Sequence, residues 1–226
     1  MVADWPNQNV SRDITGKARY IIVNDLDVSL DANHETLNSI IEHGDVLKHD
    51  QTTTVARHND LIVKRYNPRS DLHKLKRAFR RSRACRCWAM SYAFNRAGLN
   101  VARPLMMYER RVGPIRTDAY FVSENLVGDE LLGALPTMHA QQQQQVLNAV
   151  RVAFAQMRKH RLTHGDMKAS NLLWANDKLF FIDLDAATQH KTKASWQLSH
   201  RKDVRRFMKN WKSNQSLIEL FGDLEH

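Results

Sequence analysis

The sequence predicts an α+β chain of two lobes: a small β-rich N-terminal lobe with one long helix, then a mainly helical C-terminal lobe. Three observations lead there. Short apolar stretches separated by turn residues fill the first half. Residues 137–160 carry helical periodicity, with Val146, Leu147, Val150, Phe154 and Met157 on one face. The pattern changes from the first kind to the second near Asn125 to Gly128. The expected division is therefore residues 1–125, an N-terminal extension and β-rich lobe, and residues 126–226, a helical lobe.

Each element has its own signal. Residues 1–18 are polar and read as loosely ordered. Arg19 to Val23 is apolar and β-branched, hence a strand, and Leu37 to Ile41 a short helix. Val46 to Lys48, Thr53 to Arg57 and Leu61 to Tyr66 read as three strands, with His58-Asn59-Asp60 turning between the last two and Pro68 ending the third. Leu72 to Ala97 places Leu72, Leu75, Phe79, Trp88 and Tyr92 near helical spacing, and Gly98 follows as a C-cap. Leu105 to Glu109 and Ala119 to Ser123 are two more strands around a Gly113-Pro114 turn. In the second half, Gln141 to Gln145 are good helix formers and read as a solvated helical turn. Leu172 to Trp174 and Leu179 to Ile182 form a hairpin around Asn176-Asp177. Arg201 to Trp211 is a helix and Ser216 to Leu220 another.

Composition narrows the class. A chain of 226 residues with 42% hydrophobic and 26% charged residues is globular, with no apolar run near the roughly 20 residues of a membrane span. Met1 to Pro6 lacks the basic and apolar regions of a secretory leader. Cys85 and Cys87, two apart on one expected helix, read as reduced thiols of a cytoplasmic protein. The net charge is +10. Between Arg69 and Arg86 eight basic residues (Arg69, Lys74, Lys76, Arg77, Arg80, Arg81, Arg83 and Arg86) face one acid, Asp71. Such a stretch meets solvent or an anionic partner. No aromatic-interleaved groove accompanies it, so nucleic acid is not expected.

The chemistry concentrates in His164-Gly165-Asp166-Met167-Lys168-Ala169-Ser170-Asn171 and in Phe181-Ile182-Asp183-Leu184-Asp185. Asp, Lys two on, Asn five on, then an Asp closing an apolar strand is the set that phosphoryl transfer in the protein-kinase fold requires. Asp166 accepts the proton of an attacking hydroxyl, and Lys168 steadies the transferred phosphate. Asn171 and Asp183 are hard oxygen ligands for Mg2+. His164 organises the loop, and Asp203 on a later helix braces it. Lys64, one strand before the long helix, reaches the phosphates of ATP. Lys48 to Thr54 stands where a phosphate-covering loop belongs and holds no glycine, which leaves its amides and threonine hydroxyls to do that work. Backbone groups near Glu124 and Leu126 hydrogen-bond an adenine edge. One feature departs from the kinase pattern: Leu72 to Tyr108 contains no Asp or Glu, so Lys64 lacks the helix glutamate it would pair with. Glu109, Asp183 or the phosphates remain as partners.

With these pieces placed, the chain resembles the lipopolysaccharide kinase family of Gram-negative bacteria, small enzymes with a protein-kinase-like fold. The resemblance runs from about Val46 to Trp211. It is carried by Val63-Lys64-Arg65-Tyr66, Arg80 to Trp88, Asn100 to Leu105, Ser123 to Gly128, His164 to Asn171 and Ile182 to Asp185. It implies an ATP- and Mg2+-dependent phosphotransferase acting on heptose or 3-deoxy-manno-octulosonic acid (Kdo) of the lipid A core. Asp166 would be the base, Asn171 and Asp183 the magnesium ligands, and Lys64 the ATP contact. It also implies a cytoplasmic protein lying against the inner membrane through a basic helix at 69–86. A kinase for another small molecule or for protein Ser/Thr fits the same motif, and an inert kinase-like binding module fits the missing glutamate.

Overall fold

A computed structural model describes residues 10–14, 17–23, 33–67, 81–112 and 115–225. The readings at residues 1–9, Pro68, the basic residues 69–80 and the Gly113-Pro114 turn lie outside the described residues. The chain forms two compact units, one within residues 4–89 and 102–125, the other within 90–101 and 126–226.

The N-terminal unit is built on a seven-stranded antiparallel sheet. Its strands are β1 (Val10–Ile14), β2 (Ala18–Val23), β3 (Asp45–Asp50), β4 (Thr53–His58), β5 (Leu61–Tyr66), β7 (Pro104–Val112) and β8 (Ile115–Glu124), in the order β1-β2-β7-β8-β5-β4-β3. β1 corrects the loosely ordered reading of residues 10–14. It pairs along its whole length with β2, from Val10 opposite Val23 to Ile14 opposite Arg19. Helix α1 (His34–His43) starts at Asn33, whose Oδ1 accepts the Thr36 N–H at 2.8 Å. It buries Leu37, Ile40 and Ile41 against Ala56, Leu61, Val63, Met106, Tyr108, Tyr120 and Val122. Three such aliphatic side chains contribute about 1.5–3 kcal/mol each.

Val63 faces α1, so its neighbours Lys64 and Ile62 point to the opposite face of the sheet. The first turns of α2 (Arg83–Arg96) cover that face, where the Tyr66 hydroxyl donates to Cys87 Sγ at 3.4 Å. The continuous helix expected from Leu72 is corrected here, because Arg81 and Ser82 are not helical. Ser82 is the cap: its Oγ accepts the Cys85 N–H at 2.8 Å and its carbonyl the Arg86 N–H at 3.0 Å. Residues 69–86 are therefore not one basic helix. Cys85 and Cys87 are free and buried.

The C-terminal unit holds the later half of α2 and a four-stranded sheet, β6-β12-β11-β9. Its strands are β6 (Asn100–Val101), β9 (Asp129–Glu130), β11 (Leu172–Ala175) and β12 (Lys178–Phe181). A second ladder joins β10 (Leu162–Thr163) to β13 (Thr188–Gln189). A short α3 (Leu131–Ala134) precedes α4 (Ala140–His160), which begins later than expected because Leu135–Thr137 is a separate 3-10 turn and His139 caps it. Gln141 to Gln145 form its first, largely exposed turns. α5 spans Lys193–Lys209, eight residues earlier than the sequence reading, with Thr192 Oγ1 accepting the Ser195 N–H at 3.2 Å. α6 spans Gln215–Phe221. An aromatic cluster fixes α5: Phe207 meets Phe154 at 6.0 Å, Trp211 at 5.7 Å and Phe221 at 5.0 Å between ring centroids. Such pairs contribute about 0.5–1.5 kcal/mol each beyond their burial. They hold in place the helix that carries Asp203.

Candidate active site

α4 ends at Arg161 in a left-handed cap, β10 adds two residues, and the chain enters His164-Gly165-Asp166. Asp203, only 1% exposed, organises that entry from α5. Its Oδ2 accepts the His164 N–H at 2.7 Å, and its Oδ1 the Gly165 N–H at 3.0 Å. Burial pushes this carboxyl above the usual aspartate range, while the two amides and the Arg206 charge favour its ionised form. Gly165 sits at φ +80, and a Cβ there would stand 2.5 Å from the Ala186 carbonyl oxygen, so no other residue fits.

His164 is fully buried. Its Nε2 lies 2.9 Å from the Ile182 carbonyl, and its Nδ1 accepts the Asp166 N–H at 3.3 Å. A carbonyl only accepts, so the ring carries its proton on Nε2. Both nitrogens thus serve the backbone, which makes His164 an organiser of the loop. The Ile182 N–H in turn donates to the Asn171 carbonyl at 3.0 Å. These two bonds clamp the 164–171 loop to the segment that delivers Asp183.

Within the loop the predicted residues come together. Asp166 Oδ2 is 3.1 Å from Lys168 Nζ, and Asn171 Nδ2 donates to the Asp166 carbonyl at 2.8 Å. The backbone repeats the pattern: Lys168 N–H donates to Asp166 O at 2.7 Å and Asn171 N–H to Lys168 O at 2.9 Å. Asp166 is about one-third exposed. Asn171 directs its NH2 at Asp166, which leaves its amide oxygen for a hard cation. With the Asp183 carboxylate next to the paired Ile182, the donor set suits Mg2+, which completes its shell with water and phosphate oxygens. Asp183 has φ 60, the left-handed conformation, at the start of a 3-10 turn. The strand before it was legible: β11 and β12 join through Asn176 and Asp177, both at positive φ, as a two-residue hairpin turn requires.

One residue in this site escaped the sequence reading. Arg206 Nη1 lies 3.0 Å from Asp166 Oδ1 and donates to the Gly165 carbonyl at 2.5 Å. Arg206 is three residues after Asp203, on the same face of α5. That spacing was its signal.

The other expected residues lie on other elements. Lys64 is 9% exposed on β5, with Nζ 5.2 Å from the Tyr66 ring centroid. Glu109 is 1% exposed and lies 3.9, 3.5 and 3.8 Å from Arg19, Arg111 and Arg116. Glu124 closes β8: its N–H donates to the Arg103 carbonyl at 3.0 Å and its Oε1 accepts the Arg103 N–H at 2.8 Å. Leu126 begins the C-terminal unit. The β3–β4 turn differs from expectation. Asp50 Oδ1 accepts the Thr52 N–H at 2.7 Å, the Thr52 hydroxyl at 2.8 Å and the Thr53 N–H at 2.8 Å. Those bonds, the Thr52 hydroxyl foremost, hold the Asp50 carboxyl well below its ordinary range. Three of the donors expected to meet phosphate here are taken by the chain's own carboxylate.

Comparison with known proteins agrees with this architecture. No curated protein sequence matches the chain. Among solved structures, one described as WaaP in complex with acyl carrier protein superposes with a TM-score of 0.57 at 15% identity, covering 84% of this chain and 87% of that one. A structure of WbdD with a kinase inhibitor gives 0.48 at 15% identity, over 70% of this chain and 36% of that one. At such identity the WaaP likeness shows the fold, which is kinase-like. The profile described as "Lipopolysaccharide kinase (Kdo/WaaP) family" matches residues 46–220, well over half of the sequence. The chain therefore belongs to the lipopolysaccharide kinase (Kdo/WaaP) family and is a phosphotransferase acting on a sugar hydroxyl.

Proposed function

We propose that the chain transfers the γ-phosphate of ATP, with Mg2+, to a hydroxyl of heptose or Kdo in the lipopolysaccharide core. The observation that carries this reading is the Asp166 carboxylate, held between Lys168 and Arg206 in a loop braced by Asp203. Asp166 takes the proton of the sugar hydroxyl as its oxygen attacks phosphorus. Lys168 carries a positive charge to the transferred group. Asn171 and Asp183 hold the metal, which when bound neutralises phosphate charge. Lys64 contacts the phosphates. The backbone at Glu124 and Leu126 meets the adenine. The positive charge of the chain supports peripheral contact with the cytoplasmic face of the inner membrane.

The test is turnover on lipid A–core acceptors of defined length, wild type beside Asp166→Asn, with product mass as readout. One added phosphate on a core sugar is expected, reduced roughly 10²–10⁴-fold in the variant, as befits loss of a general base. Undiminished turnover in Asp166→Asn would remove Asp166 from the chemistry. Transfer to no core acceptor would remove the sugar.

A further inference from the structure

The two cations on Asp166 differ in how they are themselves held. Lys168 Nζ lies 3.1 Å from Asp166 Oδ2, at the end of a half-exposed side chain on the loop itself. Its ammonium is a point charge on a flexible four-carbon stem, which can swing to a phosphate. Arg206 Nη1 lies 3.0 Å from Asp166 Oδ1 and also donates to the Gly165 carbonyl at 2.5 Å. One NH2 group thus directs its two hydrogens to two acceptors of the same loop. The helix behind it is packed through Phe207 against Phe154, Trp211 and Phe221. Asp203, on the same face of α5, accepts the amides of His164 and Gly165. One turn of α5 therefore meets four polar groups of three consecutive loop residues: two amides through Asp203, then a carbonyl and a carboxylate oxygen through Arg206. The catalytic set of the protein-kinase fold contains no such arginine.

We propose that Arg206 is a positioning residue for phosphoryl transfer, holding Asp166 Oδ1 so that Oδ2 is the oxygen that receives the acceptor's proton. This rests on the reading that the chain is a kinase with Asp166 as its base. In the transfer, the acceptor hydroxyl gives its proton to Oδ2 while its oxygen forms a bond to the γ-phosphorus of ATP. The bond from that phosphorus to the bridging oxygen breaks, and its electron pair stays with ADP. Lys168 has to leave Oδ2 for the proton to arrive, and the transferred phosphate draws its ammonium away. A carboxylate held by Lys168 alone could then turn about its terminal torsion, which is soft. Arg206 prevents that turn, because the Gly165 carbonyl holds the same nitrogen in place. The proton-accepting oxygen is thereby aimed before the acceptor arrives. Asp203 binds the two loop amides without help from Arg206, so the loop keeps its brace when Arg206 is replaced.

The test is a double-mutant cycle. Turnover of a lipid A–core acceptor with ATP and Mg2+ would be measured for wild type, Arg206→Gln, Arg206→Lys, Asp166→Asn and the Asp166→Asn, Arg206→Gln double variant. Arg206→Gln is expected to lower kcat roughly tenfold or more with the KM for ATP unchanged, the pattern of a lost transition-state interaction. Arg206→Lys keeps the charge without the fork and is expected to recover part of that loss. In the Asp166→Asn background Arg206→Gln is expected to lower turnover no further, because the group it aims no longer takes a proton. An equal fold-loss in both backgrounds would make Arg206 a support of the fold alone and overturn the assignment, as would full kcat in Arg206→Gln. Should Arg206→Gln fail to fold, the same cycle is decided with Arg206→Lys. Asp166→Asn with undiminished turnover, or a wild type that transfers no phosphate, would remove the parent reading and this assignment with it.

Discussion

Asp203 shows how much of this site depends on one side chain that never meets substrate. Its two oxygens satisfy consecutive amides, those of His164 and Gly165, in a place closed to water. An Asp203→Ala variant leaves both donors unpaired, at about 1–3 kcal/mol each. A fall of several degrees in melting temperature is expected, together with loss of turnover, because the loop that aims Asp166 loses its brace. A variant that melts and turns over like wild type would show that Asp203 holds nothing. The role of Asp203 was readable from its place in Lys202-Asp203-Val204-Arg205-Arg206-Phe207. That of Arg206 was signalled only by its place three residues after Asp203 on one helix face, since an exposed arginine among many basic residues stands out in no other way. Only the return of α5 beneath the loop brings it to 3.0 Å from Asp166.

At the scale of elements, helix starts were the least legible feature and capping explains why. The apolar-periodic stretch from Leu72 to Ala97 does not reveal that α2 starts at Ser82, which is visible only once its hydroxyl is seen on the Cys85 N–H. Replacing Ser82 by alanine removes that bond and costs about 0.5–2 kcal/mol. A lower urea midpoint at unchanged slope is expected; an unchanged midpoint would deny Ser82 the capping role. α5 was missed over Lys193 to His200 for a different reason. Between Lys193 and His200 only Trp196 is buried and Leu198 is exposed, so that stretch shows no hydrophobic period. β1 was missed because Ser11, Arg12 and Asp13 are exposed and give no alternation. Its strand character comes from the open edge of β2. The β11–β12 hairpin was read correctly because Asn176-Asp177 is a local turn signal.

Across the whole molecule, positive charge is the property that shapes what the surface can meet. Among the described residues no helix is long and apolar enough to cross a membrane. The C-terminal unit carries a cavity of about 920 Å3 bordered by Arg158, Lys159, Arg161, Lys193, Arg201 and Arg205, over a floor that includes Trp196 and His200. These rings stack at 4.6 Å, and burial together with Arg158 keeps the His200 pKa below its ordinary value, so the floor adds no charge at neutral pH. This surface, which the sequence reading did not single out, joins the 69–86 stretch as a candidate for meeting phosphate headgroups. Binding to vesicles rich in anionic lipid is expected, weakening as salt rises and weakening again in an Arg201→Glu, Arg205→Glu double variant. Vesicle binding indifferent to salt, or absent, would deny the electrostatic contact.

What the sequence by itself determined lies within short reach along the chain. The offsets among Asp166, Lys168 and Asn171 produce their own backbone and side-chain bonds, because residues two and five apart on one loop meet whatever packs around them. The hairpin that delivers Asp183 is equally local. The tertiary structure decided the rest. It brought Asp203 and Arg206 to the loop from far along the chain, gave three of the phosphate-loop donors to Asp50, and set Arg83 on the ring that Lys64 also meets. Contacts of that kind depend on which faces of helix and sheet are buried together, and no spacing along the chain encodes them.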